Sequence, residues 1–280
     1  MSIHPTAIIG DGAIIAAEAE IGPYAVIGSN VSIGSATKVG AHAVIDGHTK
    51  IGSNCHIFAG ASVGLEPQSI SYKGEPTSVV IGDRVTIREY ATIHRGTIER
   101  GITTIGDDCF LMNYAHVAHD CTLGKGVIMA NLATLAGHID VGDGTVMAGA
   151  CVFHQFVRIG RLCMISGMSG SRQDVPPFAM VAGNPPMIKG LNIIGMRRGK
   201  ISSQARSAIK QTYKMLYGSG LNFSQAINQI EREDNGNKIP EVAEIIDFFK
   251  TTKRGVLGLY SEGEGSESAD SEETVAAGRN

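Results

Sequence analysis

Residues 3–33 read IHPTAIIGDGAIIAAEAEIGPYAVIGSNVSI, and every sixth residue from Ile3 to Ile33 is isoleucine. The same spacing continues with an aliphatic residue at each step as far as Val63. Apolar residues resume it in the same phase over 81–93 and over 105–165. A helix repeats every 3.6 residues and a simple strand every two, so neither accounts for a period of six. The period predicts an all-β parallel β-helix in which three hexads form each coil.

Two further columns accompany this period. The residue after the apolar position is often glycine, as at Gly22 and Gly34, and we expect these glycines to form tight corners. The residue four positions after the apolar one is small, so a large and a small side chain can share a narrow interior. All five cysteines lie in this small-residue column, which favours buried apolar side chains over disulfides or a metal cluster. They are Cys55, Cys109, Cys121, Cys151 and Cys163.

The period of six is interrupted twice, and we expect inserted loops near residues 64–80 and 97–104. The first segment is polar and combines Gln, Tyr and Lys side chains, which favours a functional loop. The repeat ends near Gly170, and three helical patterns follow, the last of them opened by Pro240. We therefore predict a β-helix over 1–188, a small α-helical domain over 189–256 and an acidic, disordered tail over 257–280.

The composition of the 280 residues excludes several classes of protein. Hydrophobic residues make up 43%, yet no window offers the ~18 uninterrupted apolar residues of a membrane span. The net charge of −3 carries no nucleic-acid signature, and no signal peptide is visible, so we expect a cytoplasmic protein. Residues 189–254 nevertheless hold 12 Lys or Arg against 6 Asp or Glu. This basic domain suits an acidic partner or phosphate groups, with a plain solvated surface as the alternative.

Three histidines lie on successive coils of the predicted β-helix. One coil beyond His119 is position 137, beside His138, and a further coil leads to position 155, beside His154. We expect these three to line one edge of the prism, with His116 nearby. An imidazole there can accept a proton from a hydroxyl group, and the backbone amide of Gly137 can stabilise an oxyanion. The spacing leaves zinc chemistry open as well, with His116 and His119 as candidate ligands.

Several motifs resemble those of the UDP-N-acetylglucosamine acyltransferases, the hexapeptide-repeat family that opens lipid A biosynthesis. They are NYAHVAHDC at 113–121, LAGH at 135–138, VFHQF at 152–156, IHRGT at 93–97, QDVPP at 173–177 and GLN at 190–192. The resemblance spans roughly residues 3–254 and implies a left-handed parallel β-helix that associates as a homotrimer. It implies transfer of an (R)-3-hydroxyacyl chain from acyl carrier protein to the 3-position of the glucosamine of UDP-N-acetylglucosamine.

The resemblance also implies roles for individual residues. His119 matches the family's general base, Asp120 the residue that supports it, and Gly137 the backbone oxyanion donor. The implied acyl-chain pocket includes Met164 and Gly167. No cofactor or metal is implied, because phosphopantetheine enters on the acyl carrier protein, whose acidity suits the basic C-terminal domain. The positions expected to contact substrate are Gln68, Ser69, Ser71, Tyr72, Lys73, His116, His138, His154, Gln155, Asn192 and Arg198.

The first loop departs from the family pattern. The family commonly has an aspartate and a lysine where this chain has Ser69 and Ser71, and Lys73 is a candidate replacement for that lysine. An amine instead of a hydroxyl at the acceptor 3-position is therefore an alternative. Gly199 replaces a family arginine, and Gly167 hints at a longer acyl pocket. Further alternatives are another hexapeptide-repeat acyltransferase, a metal-dependent hydratase and a non-catalytic scaffold.

Overall fold

The computed structural model describes residues 2–233 and 239–260, which form 28 short strands and four helices. The helices are α1 (Ile193–Arg198), α2 (Ser203–Gly218), α3 (Phe223–Arg232) and α4 (Pro240–Thr251). The strands are β1 (Ser2–Ile3), β2 (Ile8–Ile9), β3 (Ile14–Ile15), β4 (Glu20–Ile21), β5 (Val26–Ile27), β6 (Ser32–Ile33), β7 (Lys38–Val39), β8 (Val44–Ile45), β9 (His48–Ile51), β10 (His56–Ile57), β11 (Ser62–Leu65), β12 (Ser78–Ile81), β13 (Thr86–Ile87), β14 (Thr92–His94), β15 (Ile102–Ile105), β16 (Phe110–Leu111), β17 (His116–Val117), β18 (Thr122–Leu123), β19 (Ile128–Met129), β20 (Thr134–Leu135), β21 (Asp140–Val141), β22 (Val146–Met147), β23 (Val152–Phe153), β24 (Arg158–Ile159), β25 (Met164–Ile165), β26 (Gly170–Ser171), β27 (Ala179–Ala182) and β28 (Met187–Leu191).

The strands stack into three sheets, which form the three faces of a prism. Face A holds every third strand from β1 to β25, followed by β27 and β28. Face B holds every third strand from β2 to β26, and face C every third strand from β3 to β24. Neighbouring strands in the repeat are parallel and three hexads apart, as in the pairing of Ile3 with Ile21. The predicted fold, a left-handed parallel β-helix with a small helical region at its C-terminal end, is confirmed.

Two loops lengthen the regular step of three hexads at one edge of the prism. Across the first loop Ile57 pairs with Ile87, two hexads beyond the regular step, and across the second Ile93 pairs with Val117, one hexad beyond it. The flanking strands extend into both interruptions, so the loops cover residues 66–77 and 95–101. Both run from face B to face C. We name this corner of the prism the B–C edge, and name the other two corners the A–B and C–A edges in the same way.

The apolar column of the repeat points into the prism. Ile27 and Ile87 are at most 1% exposed, and burying each such side chain contributes ~1.5–3 kcal/mol. Ile3, Ile9 and Ile15 are only half-buried, because in the described structure the first coil is covered by a neighbouring coil on one side only. The period of six therefore records which side chains fill the interior.

The glycine column has a different cause from the one we expected. Gly22 and Gly34 do not have a positive φ; the corner residue with left-handed φ follows two positions later, at Tyr24 (56°) and Ala36 (55°). A Cβ on Gly34 would lie 2.6 Å from the carbonyl carbon of Gly52 in the next coil. Glycine is needed there because successive coils approach too closely for a side chain.

The five cysteines are buried and free, which confirms their assignment to the interior. The thiol of Cys109 lies 3.1 Å from the carbonyl oxygen of Gly124 in the next coil, and Cys121 lies equally close to that of Ala136. Burial raises the pKa of the Cys109 thiol to about 11. These residues therefore serve as small interior side chains that also donate a weak hydrogen bond.

The C-terminal region begins with a hairpin. β27 continues face A and pairs with β28 in the antiparallel sense, so the predicted boundary at residue 188 falls inside β28. α2 is capped by the hydroxyl of Ser202, and α4 begins at Pro240 as predicted, whereas α1 has no counterpart among the predicted helices. None of the described helices combines the length and apolar composition that crossing a bilayer requires.

The chain returns from α4 to the prism. Val256 pairs with Asp174, Leu259 pairs with Ile188, and Leu257 is 2% exposed. Residues 257–260, which we expected in the tail, are instead part of the folded structure, because Leu257 has an apolar site to fill. The rest of the predicted tail, 261–280, lies outside the described residues.

Candidate active site

The B–C edge brings together residues from successive coils. His119 and Asp120 lie in the turn from β17 to β18, and Gly137 and His138 lie in the equivalent turn one coil further. Coils are spaced by the ~4.8 Å of hydrogen-bonded strands, so these turns are in contact. The loop over 95–101 occupies the same corner one coil before His119.

Asp120 is fully buried and accepts hydrogen bonds from two residues. The Thr97 hydroxyl donates to Oδ2 at 2.6 Å, the Thr97 N–H donates to Oδ1 at 2.9 Å, and His119 Nδ1–H donates to Oδ2 at 2.8 Å. The N–H of Asp120 itself donates to Thr103 Oγ1 at 2.8 Å. Burial alone would raise the pKa of this carboxyl group, but the hydrogen bonds from His119 and Thr97 hold it below its ordinary value. Asp120 is therefore a negatively charged acceptor at neutral pH.

His119 is 6% exposed and is oriented by Asp120 on one side and Gly137 on the other. Because Nδ1 carries the proton donated to Asp120, Nε2 keeps a lone pair that can accept another proton. A Cβ on Gly137 would lie 2.4 Å from Cε1 and 2.8 Å from Nε2 of His119. Only glycine therefore lets the imidazole pack against the backbone of the next coil. Among the hydrogen bonds of the described residues, none uses the N–H of Gly137.

His138 faces the same pair from the next coil. Its Nε2 lies 3.6 Å from Asp120 Oδ2 and 3.5 Å from Glu99 Oε2, and its ring meets that of His119 edge-on. The ring of Phe156 stacks on it with centroids 4.5 Å apart. Burial lowers the pKa of His138, although Asp120 opposes the shift. His138 is thus predominantly a neutral donor or acceptor beside the pair.

Three contributors to this site were not assigned roles from the sequence. Thr97 and Phe156 lie in the motifs that carry the resemblance, but nothing in the repeat indicates their contacts with Asp120 and His138. Glu99 lies in the second loop, and the interruption of the period at this loop was the only feature of the sequence that pointed to a role for it. Arg100 next to it bonds to Asp140 at 2.6 Å and so anchors this loop beside His138.

His116 lies beside the edge, on face B. Its Nδ1 is 2.7 Å from the hydroxyl of Thr92 in the preceding coil, and the ring of His94 lies 5.4 Å away between centroids. Burial, assisted by the charges of His94 and His119, lowers the pKa of His116 to about 4. His116 is therefore neutral at physiological pH.

His154 and Gln155 occupy the third turn of the histidine edge, and both are exposed. Nδ1 of His154 lies 2.8 Å from Nη2 of Arg254, a residue of the C-terminal segment. The predicted alignment of His119, His138 and His154 on one edge is thus seen in the structure, with side chains at different positions of their turns.

The first loop leaves the same edge two coils before His119. Arg95 Nη2 donates to the Tyr72 hydroxyl at 2.8 Å, which ties the loop to the prism. The hydroxyls of Ser69 and Ser71 are 2.9 Å apart, so they bond to each other, while Gln68 and Lys73 are exposed. A cavity of about 710 Å³ opens at the loop, with Asp46, Tyr72, His94 and Arg95 among its lining residues.

Four of the predicted site residues lie elsewhere on the same chain. Asn192 caps α1 by accepting from the Gly195 N–H, and its amide donates to the Leu162 carbonyl at the C–A edge. Arg198 ends α1. Met164 lies in β25 on face A, and Gly167 follows in the turn at the A–B edge. One chain alone does not bring these four to the histidines.

His119, Asp120 and His138 also place three possible metal ligands within 4.8 Å of one another. Both carboxylate oxygens of Asp120 already accept hydrogen bonds, and one of the donors is His119 itself. The group is therefore arranged for proton transfer rather than for a cation. His116, which the spacing suggested as a zinc ligand, is not part of this group.

Two family models match the chain. The second domain of the UDP N-acetylglucosamine O-acyltransferase family matches residues 174–257, and six repeats of the bacterial transferase hexapeptide match residues 102–137. The solved structure of UDP-N-acetylglucosamine acyltransferase from Francisella novicida has a TM-score of 0.88 at 36% identity, covering 91% of this chain and 94% of that chain. The corresponding structure from Campylobacter jejuni has a TM-score of 0.86 at 38% identity, covering 93% and 100%.

Curated relatives extend the comparison. An acyl-[acyl-carrier-protein]–UDP-N-acetylglucosamine O-acyltransferase from Paraburkholderia phymatum is 48% identical over 258 residues, which cover 91% of this chain and 98% of the relative. The enzyme of the same name from an Anaeromyxobacter species is 45% identical over 257 residues, covering 91% and 99%. Such identity over most of the chain, together with the matching fold, shows that the chain belongs to the UDP-N-acetylglucosamine O-acyltransferase family and is an acyltransferase.

Proposed function

We propose that this chain transfers an (R)-3-hydroxyacyl group from acyl carrier protein to the 3-hydroxyl of the glucosamine unit of UDP-N-acetylglucosamine, the first step of lipid A biosynthesis. Its curated relatives are named for these two substrates. The chain also has His119, Asp120 and Gly137 where the family motif places the base, its supporting residue and the oxyanion donor.

The hydrogen-bonded pair of His119 and Asp120 carries the proposal. Nε2 of His119 takes the proton of the acceptor hydroxyl as the hydroxyl oxygen attacks the thioester carbonyl and a C–O bond forms. The negative charge on the carbonyl oxygen is stabilised by the N–H of Gly137. The C–S bond then breaks, and the proton passes from Nε2 to the departing thiolate. Asp120 stays ionised throughout and stabilises the imidazolium between the two steps.

Binding of the acyl donor, acyl carrier protein, accounts for the positive charge of the C-terminal domain. Residues 189–254 carry 12 basic against 6 acidic residues, and acyl carrier protein is acidic. Because phosphopantetheine arrives on that carrier, we propose no cofactor of the enzyme's own. The cytoplasmic location stays a prediction from the sequence.

We include a homotrimer in the proposal, because the predicted substrate contacts are divided among the edges of one prism. A neighbouring copy that sets its C–A edge against the B–C edge would supply Asn192 and Arg198 to the histidines. The A–B edge exposes apolar side chains that association would cover, including Tyr114 and Leu132, each 55% exposed.

One observation in the first loop favours a second acceptor substrate. Ser69 and Ser71 hydrogen-bond to each other where the family has an acid and a lysine. This loop therefore lacks the charged pair at those two positions, and an acceptor with a 3-amino group is the alternative substrate. The hydroxyl acceptor takes precedence, because the curated relatives are named O-acyltransferases.

A turnover assay tests the proposal. Purified protein is given 3-hydroxyacyl carrier protein with UDP-N-acetylglucosamine or with its 3-amino analogue, and the acylated sugar is measured by mass spectrometry. We expect His119→Ala and Asp120→Asn to lower kcat by about 10²- to 10⁴-fold, because each removes part of the proton-transfer pair. Lys50→Ala, which changes an exposed residue of β9 on face C, is the control and should keep its activity.

The outcomes separate the alternatives. Transfer to the ordinary sugar supports the proposal, and preference for the amine replaces its acceptor. Full activity of a folded His119→Ala variant would contradict the assigned base, and no transfer to either sugar would contradict the function.

A further inference from the structure

The C-terminal segment that follows α4 reaches the histidine edge of its own chain. Arg254 lies in this segment, and its Nη2 is 2.8 Å from Nδ1 of His154. Its Nε donates to the carbonyl oxygen of Arg172 at 3.1 Å. One guanidinium thus bonds both the backbone after β26 and a histidine that the family resemblance assigns to substrate contact.

The position of Arg254 is determined by Asp174, which is 1% exposed. The Thr252 hydroxyl donates to Oδ2 of Asp174 at 2.8 Å, and the Arg158 N–H donates to Oδ1 at 2.8 Å. The backbone of Asp174 bonds to Gly255 and Leu257 on either side of Val256. The segment on both sides of Arg254 is therefore held to the prism by a buried residue, so Arg254 is presented to His154 by a fixed backbone.

The contact decides which nitrogen of His154 carries the proton. An arginine side chain has only donors, so Nδ1 of His154 must be the acceptor. The carbonyl oxygen of Gln155 lies 3.3 Å from the same Nδ1, but it can accept a hydrogen bond only if Nδ1 carries a proton. The Arg254 contact is shorter and charge-assisted, so it prevails. The neutral imidazole of His154 therefore carries its proton on Nε2.

We propose that Arg254 is a positioning residue that holds His154 as an Nε2–H donor for the bound substrate. The turnover part of this inference rests on the proposed function. His154 lies two coils beyond His119, or about 10 Å along the prism, too far to act on the reacting hydroxyl. Its N–H suits an acceptor oxygen on a more distant part of the donor or acceptor. Arg254 itself acts through His154 and does not touch the substrate.

Imidazole ¹⁵N NMR tests the tautomer without requiring any turnover. His154→Gln identifies the signals of His154 in protein labelled with ¹⁵N-histidine. We expect the Nε2–H tautomer in the wild type. In Arg254→Met the Nδ1–H tautomer should appear, because the Gln155 carbonyl becomes the best available partner. Lys253→Met removes the same charge from the neighbouring residue and should leave the signals unchanged.

A double-mutant cycle tests whether Arg254 acts through His154. We expect Arg254→Met to lower kcat/KM about tenfold in the wild-type background, as the loss of a charge-assisted hydrogen bond does. In the His154→Ala background the same change should cost less than about twofold. Lys253→Met should have the same effect in both backgrounds, and Arg254→Lys, which keeps one donor, should be intermediate.

Either measurement, the tautomer or the double-mutant cycle, can contradict the inference. A wild-type His154 protonated on Nδ1 would overturn it at once, even if Arg254→Met failed to fold. Equal losses in the two backgrounds would mean that Arg254 acts independently of His154 and would also overturn it. If neither sugar is acylated by the wild type, the proposed function fails while the tautomer experiment still decides the role of Arg254.

Discussion

At the scale of single residues, the pairing of His119 with Asp120 depends on one backbone angle. Neighbouring residues of an extended chain point to opposite sides, so adjacency in sequence does not predict contact. Asp120 has a φ of +61°, in the left-handed region, and at this corner its carboxylate accepts a hydrogen bond from Nδ1 of His119, the residue before it. Thr97 then satisfies the remaining lone pairs from the inserted loop. The family motif indicated the pair, whereas the corner and the loop give it a geometry for proton transfer.

His116 makes the stability of the protein sensitive to acid. Its pKa in the folded state is about 4, below the ordinary 6.5, mainly because the ring is buried. Between pH 6.5 and 4 the unfolded chain therefore takes up a proton that the folded chain does not, and the free energy of unfolding falls as the pH falls. We expect His116→Gln, which can still bond Thr92, to show a shallower loss of stability across this window in urea unfolding.

His48→Gln is the matched control for this measurement, because the His48 side chain is exposed on face C. Its unfolding free energy should follow that of the wild type over the whole range of pH. Identical slopes for His116→Gln and the wild type would show that burial of His116 does not contribute to acid sensitivity.

At the scale of the repeating element, two kinds of glycine have different roles. Gly34 lies where a Cβ would be 2.6 Å from the backbone of the next coil. Gly126 lies at a left-handed corner with φ +63° and has open space around it. We expect Gly34→Ala to cost about 1–3 kcal/mol or more, because rigid backbone must move to admit the methyl group.

Gly126→Asn is the matched comparison, because Asn54 has a φ of 56° at the equivalent corner of another coil. We expect it to change stability by no more than about 1 kcal/mol, since asparagine tolerates this conformation. Thermal unfolding followed by circular dichroism compares the two variants. A larger destabilisation from Gly126→Asn than from Gly34→Ala would contradict the explanation by close approach of coils.

At the scale of the whole molecule, the proposed site is complete only between copies. Light scattering should give a mass three times 29.4 kDa. His119→Ala and Arg198→Ala should each be inactive or nearly so alone. In randomly mixed trimers of the two, about a quarter of the sites should combine an intact His119 with an intact Arg198 from the neighbour. Activity should therefore reappear on co-expression.

Co-expression of the wild type with His119→Ala is the control, because it measures the activity of mixed trimers in which some of the chains lack His119. Verified mixed trimers of His119→Ala and Arg198→Ala without recovered activity would contradict a site shared between neighbouring copies. A monomeric mass would contradict the trimer itself.

The spacing of side chains in the sequence determines much of the fold, because each hexad must place one apolar residue inside the prism and each coil must hydrogen-bond to the next. That spacing also determined that His119, His138 and His154 share an edge, since a strict step of three hexads leaves no freedom in the register. Contacts between segments without a repeat could not be read in this way. Three such contacts depend on the positions that the loops and the returning C-terminal segment adopt. They are the contacts of Thr97 with Asp120, of Glu99 with His138 and of Arg254 with His154. The separation of Asn192 and Arg198 from the histidines was decided by the tertiary structure too, because a prism has three edges and a sequence motif does not say which one it will occupy.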